Sequence, residues 1–457
     1  MDRAAIIWLR RDLRLEDHLA LHKAKRLGLK ALPIFIFDEN ILKDFPNKRD
    51  RRISFIVDRL LYLNGILKRK NSSIKIFKGN PQQIFQELLQ KLKLSHVIAS
   101  AGYEEYDMQR DKNILDICKK NNAEFICEND HLIFSPETIK KSDGSIYQIY
   151  TPFAKSAFKK IYRSDFSELD SSANLGRVDI HSKFILDTNN KNLLIEKLGY
   201  NYTSYNPWCC DFNNKNIGSF RSHISDYKKN RDLLYTDSTS KFSPYLRFGF
   251  ISIRACLRFA LEHKNSVYWI NELIWRDFYA TCLFHFPEFA SKSWTAKYRK
   301  IDWPNNETYI KKFEQCETGY PIIDAAMTQL KTTGWMHNRA RMIVASFFTK
   351  DLLCDWRLGE KIFAKYLLDY ELSSNVGGWQ WAASTGFDAQ PYFRIFNPYL
   401  QSKRFDPAGK YIKELVPRLK NIMPNNLHSA KIINEYHKPI VSHDEMRKKA
   451  LRLYKSN

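Results

Sequence analysis

Residues Leu367–Pro398 read LLDYELSSNVGGWQWAASTGFDAQPYFRIFNP. Two tryptophans, a Gly-Gly pair, several amides and an Asp-x-Glu fall within these 32 residues. Eight of the ten tryptophans lie between Trp269 and Trp381. A core does not need so many of its bulkiest side chains in one quarter of the chain. A site that holds a flat aromatic cofactor, stacks bases and moves electrons does.

Upstream of that region the pattern changes. Short apolar strands are expected at Ala4–Leu9, Leu29–Phe37, Ile74–Phe77, His96–Ser100 and Glu124–Cys127. Between them Arg52–Lys68 places Ile53, Ile56, Leu60, Leu63 and Leu67 at helical spacing, and Pro81 opens a helix over Gln82–Leu92. Strand–helix alternation argues for a doubly wound parallel sheet. There is no GxGxxG or phosphate-binding GxxxxGK loop, so an ordinary dinucleotide or NTP domain is excluded.

Residues 131–200 are polar, without sustained periodicity, and turn at Asp143-Gly144. From about 201 the pattern is helical: Ile251–His263, Val267–Phe286, Glu307–Cys316, Tyr320–Lys331, Arg339–Asp351 and Glu360–Leu368. The expected organisation is an α/β domain over 1–130, a linker over 131–200 with short helices, and an all-α domain over 201–457. At 457 residues, more than one core is the prior.

Bulk properties narrow the class. The net charge of +23 favours a polyanionic partner, but the excess is spread evenly along the chain and locates no face. No apolar run reaches 18 residues, so no membrane span is expected. The opening MDRAAIIWLRRDLR has six uncharged residues between Arg3 and Arg10, too few for a secretory signal. Eight cysteines form no CxxC pair and no zinc spacing, so reduced thiols, no metal and a cytoplasmic protein are expected.

Six blocks then occur in one order: WLRRDLRLEDHLAL (Trp8–Leu21), TSKFSPYLRFGFIS (Thr239–Ser252), ELIWRDFY (Glu272–Tyr279), GWMHNRARM (Gly334–Met342), Leu367–Pro398, and KPIVSHDEMRKKAL (Lys438–Leu451). Together they resemble the DNA photolyase/cryptochrome family, and within it the class I cyclobutane pyrimidine dimer photolyases. The resemblance covers nearly the whole chain. It implies a Rossmann-like antenna domain followed by a helical domain holding noncovalent FAD.

The resemblance also distributes roles. Tyr227, Thr239, Ser240, Lys241, Phe242, Ser243 and Trp269 match cofactor positions. Hydroxyls and a cation at 239–243 make a diphosphate cradle if a helix start follows, although such a run alone is more often a helix cap. Asn338, Arg341, Asp369, Tyr370 and Glu371 match groups around the flavin ring, and Asn375 matches the residue facing N5. A neutral amide accepts from a protonated N5; plant cryptochromes typically carry Asp there and insect cryptochromes Cys, so Asn375 favours repair over signalling.

Glu272, Trp275 and Arg276 match one wall of the lesion pocket, and Met342 and Trp381 the other. Glu272 and Asn375 are the catalytic candidates. Arg231, Asn338, Arg339 and Gln401 match DNA-facing positions. Trp379, Trp356 and Trp303 match an electron-transfer chain from flavin to solvent. Any one of these residues, taken alone, reads as core or solvated surface. The His337-Asn338 pair matches the dimer-repair pattern and argues against His337 as a proton donor.

Several positions depart from the family pattern. Lys241 stands where many members have Arg, so a point charge replaces a fork. Glu371 replaces Asp, which moves a carboxylate by about 1.5 Å. His18 replaces Asn. Asp107 stands where folate-binding members have Glu, and Lys292 resembles a second antenna position displaced by one residue. A 5,10-methenyltetrahydrofolate antenna is the expectation, with no second chromophore as its competitor.

The reading is therefore a monomeric, light-driven lyase acting on UV-damaged DNA. A cryptochrome-type photoreceptor is the alternative, and a basic nucleic-acid-binding protein without chemistry is a third.

Overall fold

The computed structural model describes residues 3–186 and 189–456. The chain divides into two compact units, each drawn from three stretches. Met1–Thr138, Phe158–Ser222 and Lys241–Asp277 make one; Ile139–Ala157, His223–Ser240 and Phe278–Asn457 make the other.

The first unit is built on a five-stranded parallel sheet: β1 (Ala4–Leu9), β2 (Lys30–Asp38), β3 (Lys75–Gly79), β4 (Leu94–Ser100) and β5 (Glu124–Glu128), in the order β3-β2-β1-β4-β5. The three central strands are near-continuous apolar runs because helices cover both faces. Those helices are α1 (Leu19–Arg26), α2 (Arg51–Lys68), α3 (Pro81–Lys91) and α4 (Glu105–Lys120). Asp50 caps α2 and Asn80 caps α3, each accepting from the N–H two residues on. The five expected strands all form, β1 with the expected ends and the others with an end shifted by one or two residues.

The polar stretch after residue 130 holds more structure than its periodicity suggests. Ser145 donates to Asp143 through its N–H at 2.8 Å and its hydroxyl at 2.7 Å, which fixes the expected turn. A twelve-residue helix, α5 (Tyr150–Ile161), follows. Residues 174–186 then run along the sheet. Gly176 N donates to Ala31 O at 2.8 Å, Lys78 N to Phe184 O at 2.8 Å and Leu186 N to Ile76 O at 2.9 Å. Isolated bridges of this kind leave no period for a sequence pattern to carry. Leu175 bridges β2 at Ala31 and Ile185 bridges β3 at Phe77, so the strap lies along the open flank of the sheet, a place where an unpaired strand invites association.

The later helices are α6 (Ile253–Leu261), α7 (Val267–His285), α8 (Pro321–Thr333), α9 (Asn338–Ser346), α10 (Trp356–Tyr366), α11 (Leu372–Ala382), α12 (Pro398–Phe405) and α13 (His443–Lys455). The single helix expected over Arg339–Asp351 is in fact α9 followed by a π turn, Phe347–Asp351. All five residues of that turn are buried, including Lys350 and Asp351. The wider turn lets their polar ends reach Ser384 (Lys350 Nζ to Oγ, 2.8 Å) and His443 (Asp351 Oδ1 to Nδ1, 2.5 Å).

In this second unit close packing depends on two glycines. A methyl at Gly359 on α10 would overlap the Trp379 indole, and one at Gly377 on α11 would overlap the Tyr279 ring.

Candidate functional site

The Leu367–Pro398 stretch begins just past the end of α10, makes a short connection, forms α11 and runs on to the start of α12. Leu368 N donates to Gly334 O at 2.7 Å, which ties the connection to the turn before α9. Asp369 follows directly, with its carboxylate buried. Arg341 on α9 donates to both of its oxygens, at 2.8 and 3.1 Å, and through Nε to Met336 O at 2.8 Å. Glu371 gives its carbonyl to Asn375 N at 2.9 Å and takes a hydrogen bond from Ser374 Oγ at 3.3 Å. The backbone of residue 371 thus starts α11 whichever acid stands there.

Asn375 is buried on the first turn of α11. Its Nδ2 donates to Glu360 Oε1 at 3.0 Å and to the Glu360 carbonyl at 3.2 Å. Its Oδ1 takes no hydrogen bond among the described residues. One turn on, a methyl added at Gly378 would meet nothing within 4 Å. A free amide oxygen beside a glycine that leaves open space suits the edge of a flat hydrogen-bonding ring. The residues present fit a flavin.

Glu360 enters the sequence reading only as the start of an expected helix, Glu360–Leu368; the helix that forms is α10, which starts four residues earlier and ends at Tyr366. It lies on the buried stripe of α10 with Trp356, Gly359, Ile362 and Phe363. A carboxylate on an apolar stripe was the available signal. Burial raises its carboxyl above the ordinary range, against the pull of the hydrogen bonds from Asn375 and Tyr370.

The tryptophans of the second unit are ordered in space. Trp379 packs edge-on to Phe363 (4.8 Å) and Phe348 (5.6 Å), and its Nε1 is buried without a partner. It lies against Gly359, one turn along α10 from Trp356. Trp356 is wholly buried and donates through Nε1 to Ser293 Oγ at 3.4 Å. Asp355 N, one residue before it, donates to Asn305 Oδ1 at 2.8 Å, which brings in the Trp303 segment. Trp303 stands edge-on to Tyr454 at 6.0 Å.

Other candidates of this unit fall near α9 and α12. Asn338 is exposed, with Nδ2 3.8 Å from the Met342 sulfur. Arg339 forks onto Asp232 (2.8 and 3.2 Å) and lies over the Phe405 ring. Arg231 lies over the Tyr227 ring, 5.2 Å from its centroid. Gln401 Oε1 is buried without a partner, and Trp381 is half-buried. His337 caps α9 by accepting from Arg339 N at 3.1 Å, and burial lowers its pKa to about 4. It is a neutral cap at physiological pH. Thr239 and Ser240 are half-buried.

In the first unit, Lys241 takes a left-handed φ of 53° and Ser243 opens a five-residue helix with Pro244 in its first turn. Trp269 is buried against Phe242 and Phe220. Glu272 and Trp275 are half-buried on α7. Arg276 donates to the His131 carbonyl at 2.6 Å and to the His131 ring, while Asp277 accepts from Phe134 N at 2.9 Å. This gives Arg276 a structural anchor inside its own unit.

Asp107 is buried between Arg110 (3.0 Å) and Arg11 (3.4 Å). The nearby arginines outweigh desolvation and lower its pKa to about 2. Lys292 is exposed, and its carbonyl accepts from Gln380 Nε2 at 3.1 Å. His18 takes over the capping task of an Asn: its Nδ1 accepts from Leu21 N at 3.4 Å. Among the described residues, Asp12, His18 and Asp130 come close enough to ligate an ion. Arg14 (2.6 Å) and Arg254 (2.8 Å) already neutralise Asp130 there, so two resident guanidiniums oppose a dication. The eight cysteines are all free.

Comparison with known proteins gives the same picture. A family profile described as the FAD binding domain of DNA photolyase matches residues 269–456, and one described as DNA photolyase matches residues 5–171. A deoxyribodipyrimidine photo-lyase of Alkalihalophilus pseudofirmus is 34% identical over 482 residues, spanning 100% of this chain and 98% of the relative. That of Escherichia coli is 31% identical over 480 residues, spanning 99% and 98%. Among solved structures, a bacterial class III photolyase from Agrobacterium tumefaciens superposes with a TM-score of 0.88 at 30% identity, covering 100% of this chain and 98% of the other. An archaeal photolyase from Sulfolobus tokodaii with two FAD molecules gives 0.86 at 29%, with full coverage of both.

Fold and site together define a two-domain flavoprotein, a doubly wound parallel α/β domain with a helical FAD-binding domain. The profile and relative matches fix its kin, and the chain belongs to the DNA photolyase family. Among the described residues no helix is long and apolar enough to cross a membrane.

Proposed function

We propose that this chain is a deoxyribodipyrimidine photo-lyase that splits cyclobutane pyrimidine dimers in UV-damaged DNA under light. The observation that carries the reading is Asn375: a neutral amide, its nitrogen held by Glu360 and its oxygen left to accept. Bound FAD supplies light absorption and the electron that is lent to the dimer and recovered, with no net redox change.

The chain's own residues position and protect that chemistry. Asn375 would accept from the N5 edge of a bound flavin, and Arg341, fixed by Asp369, would place a positive charge beside the ring. Tyr227, Thr239, Ser240, Lys241, Phe242, Ser243, Trp269, Asn338, Tyr370 and Glu371 complete the cofactor set. Glu272 hydrogen-bonds a lesion carbonyl. Trp275, Met342 and Trp381 give apolar surface to a flipped-out dimer, which is already poorly paired and costs less to extrude than a normal base. Arg231, Arg276, Arg339 and Gln401 hold the strand, so binding is lesion-specific, sequence-tolerant and salt-sensitive. Trp379, Trp356 and Trp303 carry electrons inward from solvent.

The domain assignment is 1–130 for the antenna domain, 131–200 for the linker and 201–457 for the catalytic domain. Asp107 and Lys292 are assigned to a 5,10-methenyltetrahydrofolate antenna. The protein acts as a cytoplasmic monomer.

The deciding experiment is light-versus-dark repair of a defined thymine-dimer oligonucleotide with the flavin reduced. Light-dependent recovery of intact thymines establishes the lyase. No recovery with FAD bound and reduced overturns it, in favour of photoreception or of another photoproduct.

A further inference from the structure

Glu360 has no role in the reading above, and Tyr370 enters only as one position of the cofactor set, with no contact assigned to it. The geometry joins them. Asn375 Nδ2 faces two oxygens of Glu360, its side-chain Oε1 and its main-chain carbonyl. Both are acceptors, so the amide nitrogen must point to α10 and the amide oxygen away from it. The orientation, usually ambiguous for Asn, is fixed by its partners. Tyr370 donates its hydroxyl to the same Oε1 at 2.9 Å. Two donors converge on one oxygen of a buried carboxyl.

We propose that Tyr370 and Glu360 are positioning residues for Asn375, Tyr370 steadying the Glu360 carboxylate and the carboxylate pinning and polarising the Asn375 amide. This rests on the reading that Asn375 faces flavin N5. A hydrogen bond from the amide N–H to a carboxylate shifts electron density toward the amide oxygen and makes it a stronger acceptor. A protonated N5 is then favoured over an unprotonated one. Tyr370 supplies a donor that keeps the acid in its acceptor form. Removing the hydroxyl weakens the grip, and removing the charge weakens it more.

The test uses the FAD-loaded protein as wild type, Tyr370→Phe, Glu360→Gln and Asn375→Ser. The measured quantity is the reduction equilibrium of the bound flavin, followed by visible absorbance against a mediator. FAD content and melting temperature serve as controls for folding. The expected result is a shift against the N5-protonated form of about tenfold for Glu360→Gln, the scale of one charge-assisted hydrogen bond. Tyr370→Phe shifts it in the same direction by less.

Wild-type equilibria in both variants, with Asn375→Ser shifted, would overturn the proposal and leave the N5 reading intact. An unshifted Asn375→Ser would overturn both. If Glu360→Gln loses its flavin, Tyr370→Phe decides alone, because it removes one hydroxyl from a half-buried ring.

Discussion

Gly359 on α10 sits directly under the six-membered ring of Trp379, so that α10 and α11 meet without an intervening side chain. A β-carbon there would occupy space the indole now fills. Gly359→Ala is expected to push Trp379 off its seat and to destabilise the helical unit by about 1–3 kcal/mol, the range for overpacking. Thermal unfolding reads the loss. An unchanged melting temperature would show that the contact yields more easily than the geometry suggests.

Trp356 connects the Trp379 contact at Gly359 with the Trp303 segment at Asn305. Trp356→Phe is expected to remove most light-driven reduction of the bound flavin under an external donor. Reduction by dithionite bypasses the relay and still proceeds. Equal photoreduction in wild type and variant would take Trp356 out of the chain.

The Arg341–Asp369 pair is lopsided. The acid side chain is 2% exposed and the guanidinium 27%. Arg341→Ala leaves a buried carboxylate unpaired, at about 1–3 kcal/mol. Asp369→Asn leaves a cation that still reaches water and costs less. FAD retention and melting temperature should fall further for the arginine variant, and the reverse order would contradict this account.

His337 makes stability depend on acid. Burial lowers its pKa from 6.5 to about 4, so between these values the unfolded chain binds the proton and the folded chain does not. Stability therefore falls as pH drops from 6.5 to 4, by roughly 3 kcal/mol at about 1.4 kcal/mol per pKa unit, and the penalty is absent above 6.5. Asparagine caps helices well and does not titrate. His337→Asn should flatten that limb in a comparison of melting temperatures at pH 7 and 4.5. Parallel acid losses in both proteins would assign the effect elsewhere.

Arg231→Ala tests the DNA assignment. Loss of one phosphate contact should lower the slope of log affinity against log salt by about 0.9 and weaken binding to all sequences alike. An unchanged slope would remove Arg231 from the interface.

The five strands were legible because each is a compact apolar run bounded by turn residues. The helix Glu307–Glu314 was legible through its 3.6-residue period, and α10 only in part, because the expected span Glu360–Leu368 missed its first turn at Trp356. What escaped has a common cause. The strap at 174–186 is held by single backbone hydrogen bonds, and the π turn by the burial of Lys350 and Asp351, two residues that composition assigns to the surface. In the site, Asp369, Asn375 and the tryptophans were marked by motif. Glu360 was missed because its importance lies in a contact 15 residues away along the chain. Arg276 read as a ligand-facing cation, and one of its partners, His131, lies 145 residues away along the chain with no sequence signature.

The strap along β3 also bears on how the protein comes off the ribosome. All five strands have been made by Glu128, but the residues that close the sheet's edge, around Ile185, are not yet translated. The compact unit to which the sheet belongs is not complete until Asp277. For that interval a finished parallel sheet waits with one flank unpaired, the condition in which nascent chains associate with one another. The order of synthesis, more than the stability of the finished fold, is therefore where this sheet is most exposed to misassembly.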